Sequence, residues 1–107
     1  MRHLRCFMQR FFGDFSDSGD VFNAFSVDDR EGCEILAAEY EMDGYEGSAS
    51  VLFRKDGKLF EVYVSHCSCY GLEGCWQPEP VVEAELRERA TRQGGPYWQA
   101  VIEILNA

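Results

Sequence analysis

Val51-Leu52-Phe53-Arg54-Lys55-Asp56-Gly57-Lys58-Leu59-Phe60-Glu61-Val62 is the stretch on which the fold turns. An Asp-Gly pair between two runs rich in β-branched and aromatic residues signals a hairpin, because both turn positions need a positive φ that Asp tolerates and Gly adopts freely. A two-residue turn leaves no freedom of register. It pairs Lys55 with Lys58, Arg54 with Leu59, Phe53 with Phe60, Val51 with Val62 and Ala49 with Val64. Phe53, Phe60, Val51, Val62, Ala49 and Val64 then share one face, while Arg54, Glu61, Ser50 and Tyr63 share the other with Leu52 and Leu59. A slip of one residue would scatter both groups, so burial of the apolar face locks the pairing.

Upstream of the hairpin, Cys33 to Met42 alternates, with Leu36, Ala38, Tyr40 and Met42 opposite Ile35, Ala37, Glu39 and Glu41, which predicts a further half-buried strand. Asp43 to Gly47 supplies the turn between them. Nearer the N-terminus, Leu4, Phe7, Met8, Phe11 and Phe15 recur at helical spacing and Phe12 widens the stripe, predicting an amphipathic helix over residues 2 to 13 that Gly13 ends. Val21, Phe22 and Phe25 predict a short helix capped by Ser18 or Asp20. After the hairpin, Val82, Leu86 and Ala90 predict a helix over residues 81 to 93, with Pro80 in its first turn and Gly94-Gly95-Pro96 closing it. Trp98, Val101, Ile102 and Leu105 predict a last one. The expected architecture is α+β: a single domain over residues 1 to 107, formed by a three-stranded antiparallel meander with an N-terminal helix and two C-terminal helices packed on one face.

The charges are unevenly placed. The chain has 107 residues and a net charge of −9, and residues 14 to 46 carry eleven acids against the single base Arg30. Such a field repels nucleic-acid phosphates and attracts basic surfaces, which disfavours direct DNA or RNA binding and favours a basic protein partner. Glu39, Glu41, Asp43 and Glu46 are the acids expected to meet it, with Trp76 as an aromatic anchor if exposed. No apolar run is long enough to span a bilayer. Met1 to Arg5 is basic but is followed by no apolar region or small-residue cleavage site, so a cytoplasmic protein is expected.

Five cysteines, an odd number in a chain without an export signal, argue for reduced thiols. His66, Cys67, Cys69 and Cys75 bring one imidazole and three thiols into ten residues, the donor set of a closed zinc site, with Cys33 as an alternative fourth ligand. Their spacing reproduces no common zinc knuckle, and the competing use is burial as small apolar groups. A cysteine nucleophile would need an oriented base, and His66, adjacent to Cys67, is poorly directed toward it, so no enzyme is expected.

Gly47 to Val62, Ser65-His66-Cys67-Ser68-Cys69-Tyr70-Gly71-Leu72-Glu73 and Trp76 to Glu79 resemble a family of small, uncharacterised phage and prophage proteins. The likeness covers roughly the middle third of the chain, with His-Cys-Ser-Cys-Tyr-Gly-Leu-Glu as its distinctive core. In that family the position of Cys75 is often another residue, which weakens it as an obligatory ligand. The resemblance implies an inhibitor of host defence, of which anti-CRISPR proteins are the best-known class. Its partner would be a Cas effector or other host defence protein, bound in the host-cell cytoplasm through the acidic face so that nucleic acid is kept off. The rival is a zinc-stapled structural or regulatory phage module without catalytic activity.

Overall fold

The structure is a computed structural model that describes residues 9–28, 30–43, 46–67, 72 and 74–106, with the backbone alone for residues 42, 43, 46, 66 and 67. Its elements in chain order are β1 (Arg10–Gly13), α1 (Ser18–Phe25), β2 (Glu34–Asp43), β3 (Glu46–Lys55), β4 (Lys58–Cys67), β5 (Glu79–Pro80), α2 (Glu83–Gln93) and α3 (Pro96–Asn106). The strands form one mixed sheet in the order β1-β2-β3-β4-β5.

The β3–β4 hairpin has the register that its turn dictates, from Lys55 opposite Lys58 to Ala49 opposite Val64 and on to Glu46 opposite Cys67. Asp56 and Gly57 both take positive φ, 55° and 79°. That conformation twists with the strands instead of splaying them.

The sheet is not the expected three-stranded antiparallel meander. Two edge strands are added: β1 runs parallel to β2, with Phe11 beside Ala38, and β5 pairs with Phe60 and Glu61 of β4. A parallel pair needs a long crossover, which residues 14 to 33 provide with α1 in their midst. The helix expected over residues 2 to 13 lies outside the described residues as far as residue 8, and from Arg10 it is strand β1. Phe11 packs on one face of the sheet and Phe12 on the other. An apolar doublet in a strand covered on both sides imitates a widened helical stripe, which is why spacing alone misreads it.

Nor do the helices share one face. The strongly apolar face bears Ile35, Ala38, Ala49, Val51, Phe53 and Val62, and is covered by α1 and its flanks through Phe15, Val21, Phe22, Phe25 and Val27. The opposite face gathers Leu36, Ala37 and Leu52 under Leu86, Ala90, Tyr97 and Val101 of α2 and α3. The C-terminal helices therefore take the side with fewer apolar residues, and each face has its own core. A β-bulge helps to supply it. Ile35 pairs with Phe53 and Ala37 with Leu52, leaving Leu36 as the extra residue. The bulge turns Leu36 to the side of Ala37, whereas strict alternation would place it with Ala38 and Tyr40.

Helix boundaries follow local chemistry. The α1 cap is Asp17, whose Oδ1 accepts from the Asp20 N–H at 2.8 Å, while Asp20 Oδ2 accepts from the Ser16 N–H at 2.9 Å. This reciprocal arrangement replaces the expected Ser18 or Asp20 cap. Helix α2 starts at Glu83 instead of residue 81 because the Val81 N–H donates to the Leu59 carbonyl at 3.0 Å and so still belongs to the sheet.

Gly13 closes β1 against β2 with φ +68°, and a Cβ there would overlap the Tyr40 carbonyl oxygen. Gly57 also has positive φ but faces open space. Gly13→Ala is therefore expected to destabilise the fold by about 3 kcal/mol or more, Gly57→Ala by only about 1 kcal/mol, as read by denaturant unfolding.

Candidate functional site

The parallel β1–β2 pairing decides where the acids go. Asp14 follows β1 and its N–H donates to the Tyr40 carbonyl at 2.8 Å, while the Phe15 and Tyr40 rings lie 5.3 Å apart. Asp14 is thereby carried to the end of the sheet where β2 finishes with Glu39, Glu41 and Asp43 and β3 begins with Glu46, and the α1 cap residues Asp17 and Asp20 follow it on the face that α1 covers. Burial, then the nearby Asp14 carboxylate, pushes the Tyr40 phenol above its usual range.

Nothing basic among the described residues offsets this acidic pole. Arg10 pairs with Glu103, Arg54 with Glu34, Arg87 with Glu83, Arg89 with Glu61 and Arg92 with Glu88. Arg30 bonds the Val27 carbonyl and Asn23 and lies over the Phe22 ring. Lys55 and Lys58 sit at the hairpin tip, the far end of β3. Ten strand residues span roughly 30 Å, several times the Debye length of about 8 Å at physiological salt, so the tip cannot neutralise the pole.

Glu39 and Glu41 project from the same side of β2, toward the face that α3 partly covers. Glu39 stands in a row with Phe12, Ser50 and Tyr63, and Glu41 in a row with Ser48 and Ser65. Burial, the neighbouring Glu41 carboxylate and a hydrogen bond between the two raise the Glu39 carboxyl from 4.5 to about 6. Burial, with the Glu61 and Glu39 carboxylates nearby, likewise pushes the Tyr97 phenol far above its usual range, so it stays neutral.

Between pH 4.5 and 6 the folded chain holds the Glu39 proton that the unfolded chain releases, so stability falls as pH rises through that window. Glu39→Gln removes the charge, and at pH 7.5 it should stabilise the protein by roughly 1 kcal/mol after solvent screening is allowed for. The gain should vanish by pH 4.5, which paired urea titrations at the two pH values would measure.

Trp76 is half-buried in the α1-side core, stacked on Phe53 at 5.2 Å and edge-on to Phe25 and Phe22 at 5.2 and 6.1 Å. It anchors the chain returning from β4 instead of standing out as a docking group. Trp76→Ala should cost about 3 kcal/mol in a thermal melt, whereas Trp76→Phe should retain most of the stability.

Cys33 and Cys75, both free thiols, also pack against this core. His66 and Cys67 belong to β4 by their backbone, and their side chains, like all of Cys69, lie outside the described residues. Among the described residues no group of three or more His, Cys, Asp or Glu is placed to hold a metal ion. The zinc expectation accordingly turns on His66, Cys67 and Cys69.

A second feature has no signal in the sequence. A cleft of about 680 Å³ opens where β5 leaves β4, between Tyr63 to Ser65 and the returning chain at Gly74, Cys75 and Gln77. Arg89 and Gln93 of α2 and Trp98 of α3 complete its walls. Arg89 is held by Glu61 at 2.6 Å, and this bond raises the guanidinium above its ordinary value. Tyr63 is 66 % exposed. The cleft depends on where two chain segments part company, which periodicity cannot report.

No helix among the described residues is long and apolar enough to cross a membrane. No protein-family model matches the chain, and neither a curated protein nor a solved structure matches it.

Proposed function

We propose that this chain is a phage-derived inhibitor of the anti-CRISPR kind, acting in the host-cell cytoplasm. It seats its acidic pole on a basic surface of a Cas effector or other host defence protein and so blocks nucleic-acid binding. The observation that carries the reading is the unneutralised group at one end of the sheet: Asp14, Asp17, Asp20, Glu39 and Glu41 take part in no ion pair among the described residues. Their carboxylates remain available to a cationic partner, and a surface that binds phosphates by charge also attracts such a pole. The kind of target comes from the resemblance of the His66 to Glu73 segment to phage proteins. A nucleic-acid ligand is disfavoured by the net charge of −9.

The test is affinity capture from cells carrying a complete CRISPR system, followed by titration of the retained effector with and without target DNA. A retained effector whose DNA binding the protein competes away supports the reading. Combined reversal of Glu39, Glu41 and Asp43 to Lys should weaken the complex at least about tenfold at low salt and flatten its salt dependence. A complex indifferent to those reversals would rule out the acidic pole as the binding surface.

A further inference from the structure

Deepening that reading and resting on it, we propose that the cleft at the open edge of β4 takes an extended, basic segment of the protein partner, added to the sheet as a strand.

The edge is set up by alternation. In β4 the Leu59 carbonyl accepts from the Val81 N–H, so the main-chain groups of Leu59 and of every second residue after it point away from β3. Pairing with β5 uses Phe60 and Glu61 only. The next outward-pointing residues are Tyr63 and Ser65, and among the described residues no strand pairs with them. Sheet edges are commonly blunted by Lys, Pro or a bulge, and neither Tyr63, Val64 nor Ser65 supplies such a block. Pro80 instead sits in β5 opposite Phe60, and Pro78 lies on the chain just beyond that pairing. Unpaired N–H and C=O groups in a walled cleft are what strand addition recognises in a peptide main chain.

The side chains select charge. Of the charged cleft residues, Glu61 and Arg89 satisfy each other, leaving the exposed Glu79, which takes part in no ion pair among the described residues. Tyr63 and Trp98 add ring faces, and a Lys or Arg side chain beside an aromatic face and a carboxylate is favoured by both. Gln77 and Gln93 offer amide donors and acceptors. A second copy of this chain fits poorly, because two molecules of charge −9 would meet with Glu79 against Glu79.

The probe is a blocked heptapeptide alternating Lys or Arg with Val and Thr, titrated into the full chain and followed by amide NMR. Binding with a Kd below about 100 μM is expected. Amide exchange of Tyr63 and Ser65 should slow at least about tenfold at saturation. N-methylation of alternate peptide nitrogens should abolish binding, since it removes the donors without changing charge. Tyr63→Ala, at an exposed position, should weaken binding about fivefold without moving Tm.

No binding at 1 mM peptide, or equal binding of the N-methylated peptide, would overturn the proposal. So would shifts confined to Glu39 and Glu41, or self-association that occludes the same amides. The peptide assay uses no effector, so failure to capture one would fall on the host target alone. An effector bound as tightly by Tyr63→Ala as by the parent would overturn the cleft and leave the acidic pole standing.

Discussion

The Phe53 ring, stacked between Phe60 at 5.5 Å and Trp76 at 5.2 Å, is the contact on which the rest of the architecture depends. It joins β3 to β4 across the hairpin and both strands to the chain returning from the sulfur-rich segment. Through Trp76 it reaches Phe25 and Phe22 of α1. Aromatic pairs contribute about 0.5–1.5 kcal/mol each beyond the area they bury, so a chain of such contacts suits a small domain with limited core volume. With Trp76 held against one face, the returning backbone lies beside β4, and the space between them becomes the cleft.

A sheet covered on both faces has little room left for charge, and that constraint shapes the electrostatics. The arginines of α2 are engaged by nearby acids, Arg87 with Glu83 and Arg92 with Glu88 along the helix and Arg89 with Glu61 across to β4. The acids that precede α1 have no such neighbours among the described residues, because the crossover from β1 carries them toward the end of the sheet away from the basic hairpin tip. Among the described residues, charge is thereby polarised along the strands. Polarity of this kind speeds and orients encounter with a cationic surface more than it strengthens the final complex, where desolvation opposes the Coulomb gain. Strand addition at β4, as proposed, would supply the short-range, directional part of such a complex, and the two surfaces would then divide steering from docking.

The hairpin was legible because Asp56-Gly57 admits one turn geometry and the face pattern admits one register. Helices α2 and α3 were legible from Leu86, Ala90 and Val101, whose spacing no tertiary contact contradicts. Strand β1 was not, because Phe11 and Phe12 serve opposite cores and so mimic a helical stripe. The Leu36 bulge was hidden for a related reason: Leu36 and Ala37 are both apolar, and a phase slip between two apolar residues leaves no trace in a binary pattern. Of the candidate site, the excess of acid in residues 14 to 46 was plain from composition. Tyr63, Trp98 and Glu79 carried no hint of a shared cleft, since they come from β4, α3 and β5.

By itself the sequence determined the local order of this protein: the β3–β4 register, the identity of the long strands and of the C-terminal helices, and the acidic character of the first half. These follow from side-chain periodicity and turn stereochemistry, which act between near neighbours. Only the tertiary structure decided that β1 lies parallel beside β2, that the helices divide between two faces, and that Asp14 joins Glu39 and Glu41 toward one end of the sheet while, among the described residues, an edge of β4 stays open. Those outcomes depend on which distant apolar surfaces bury one another, a choice made by total burial and packing across the sheet and carried by no single segment.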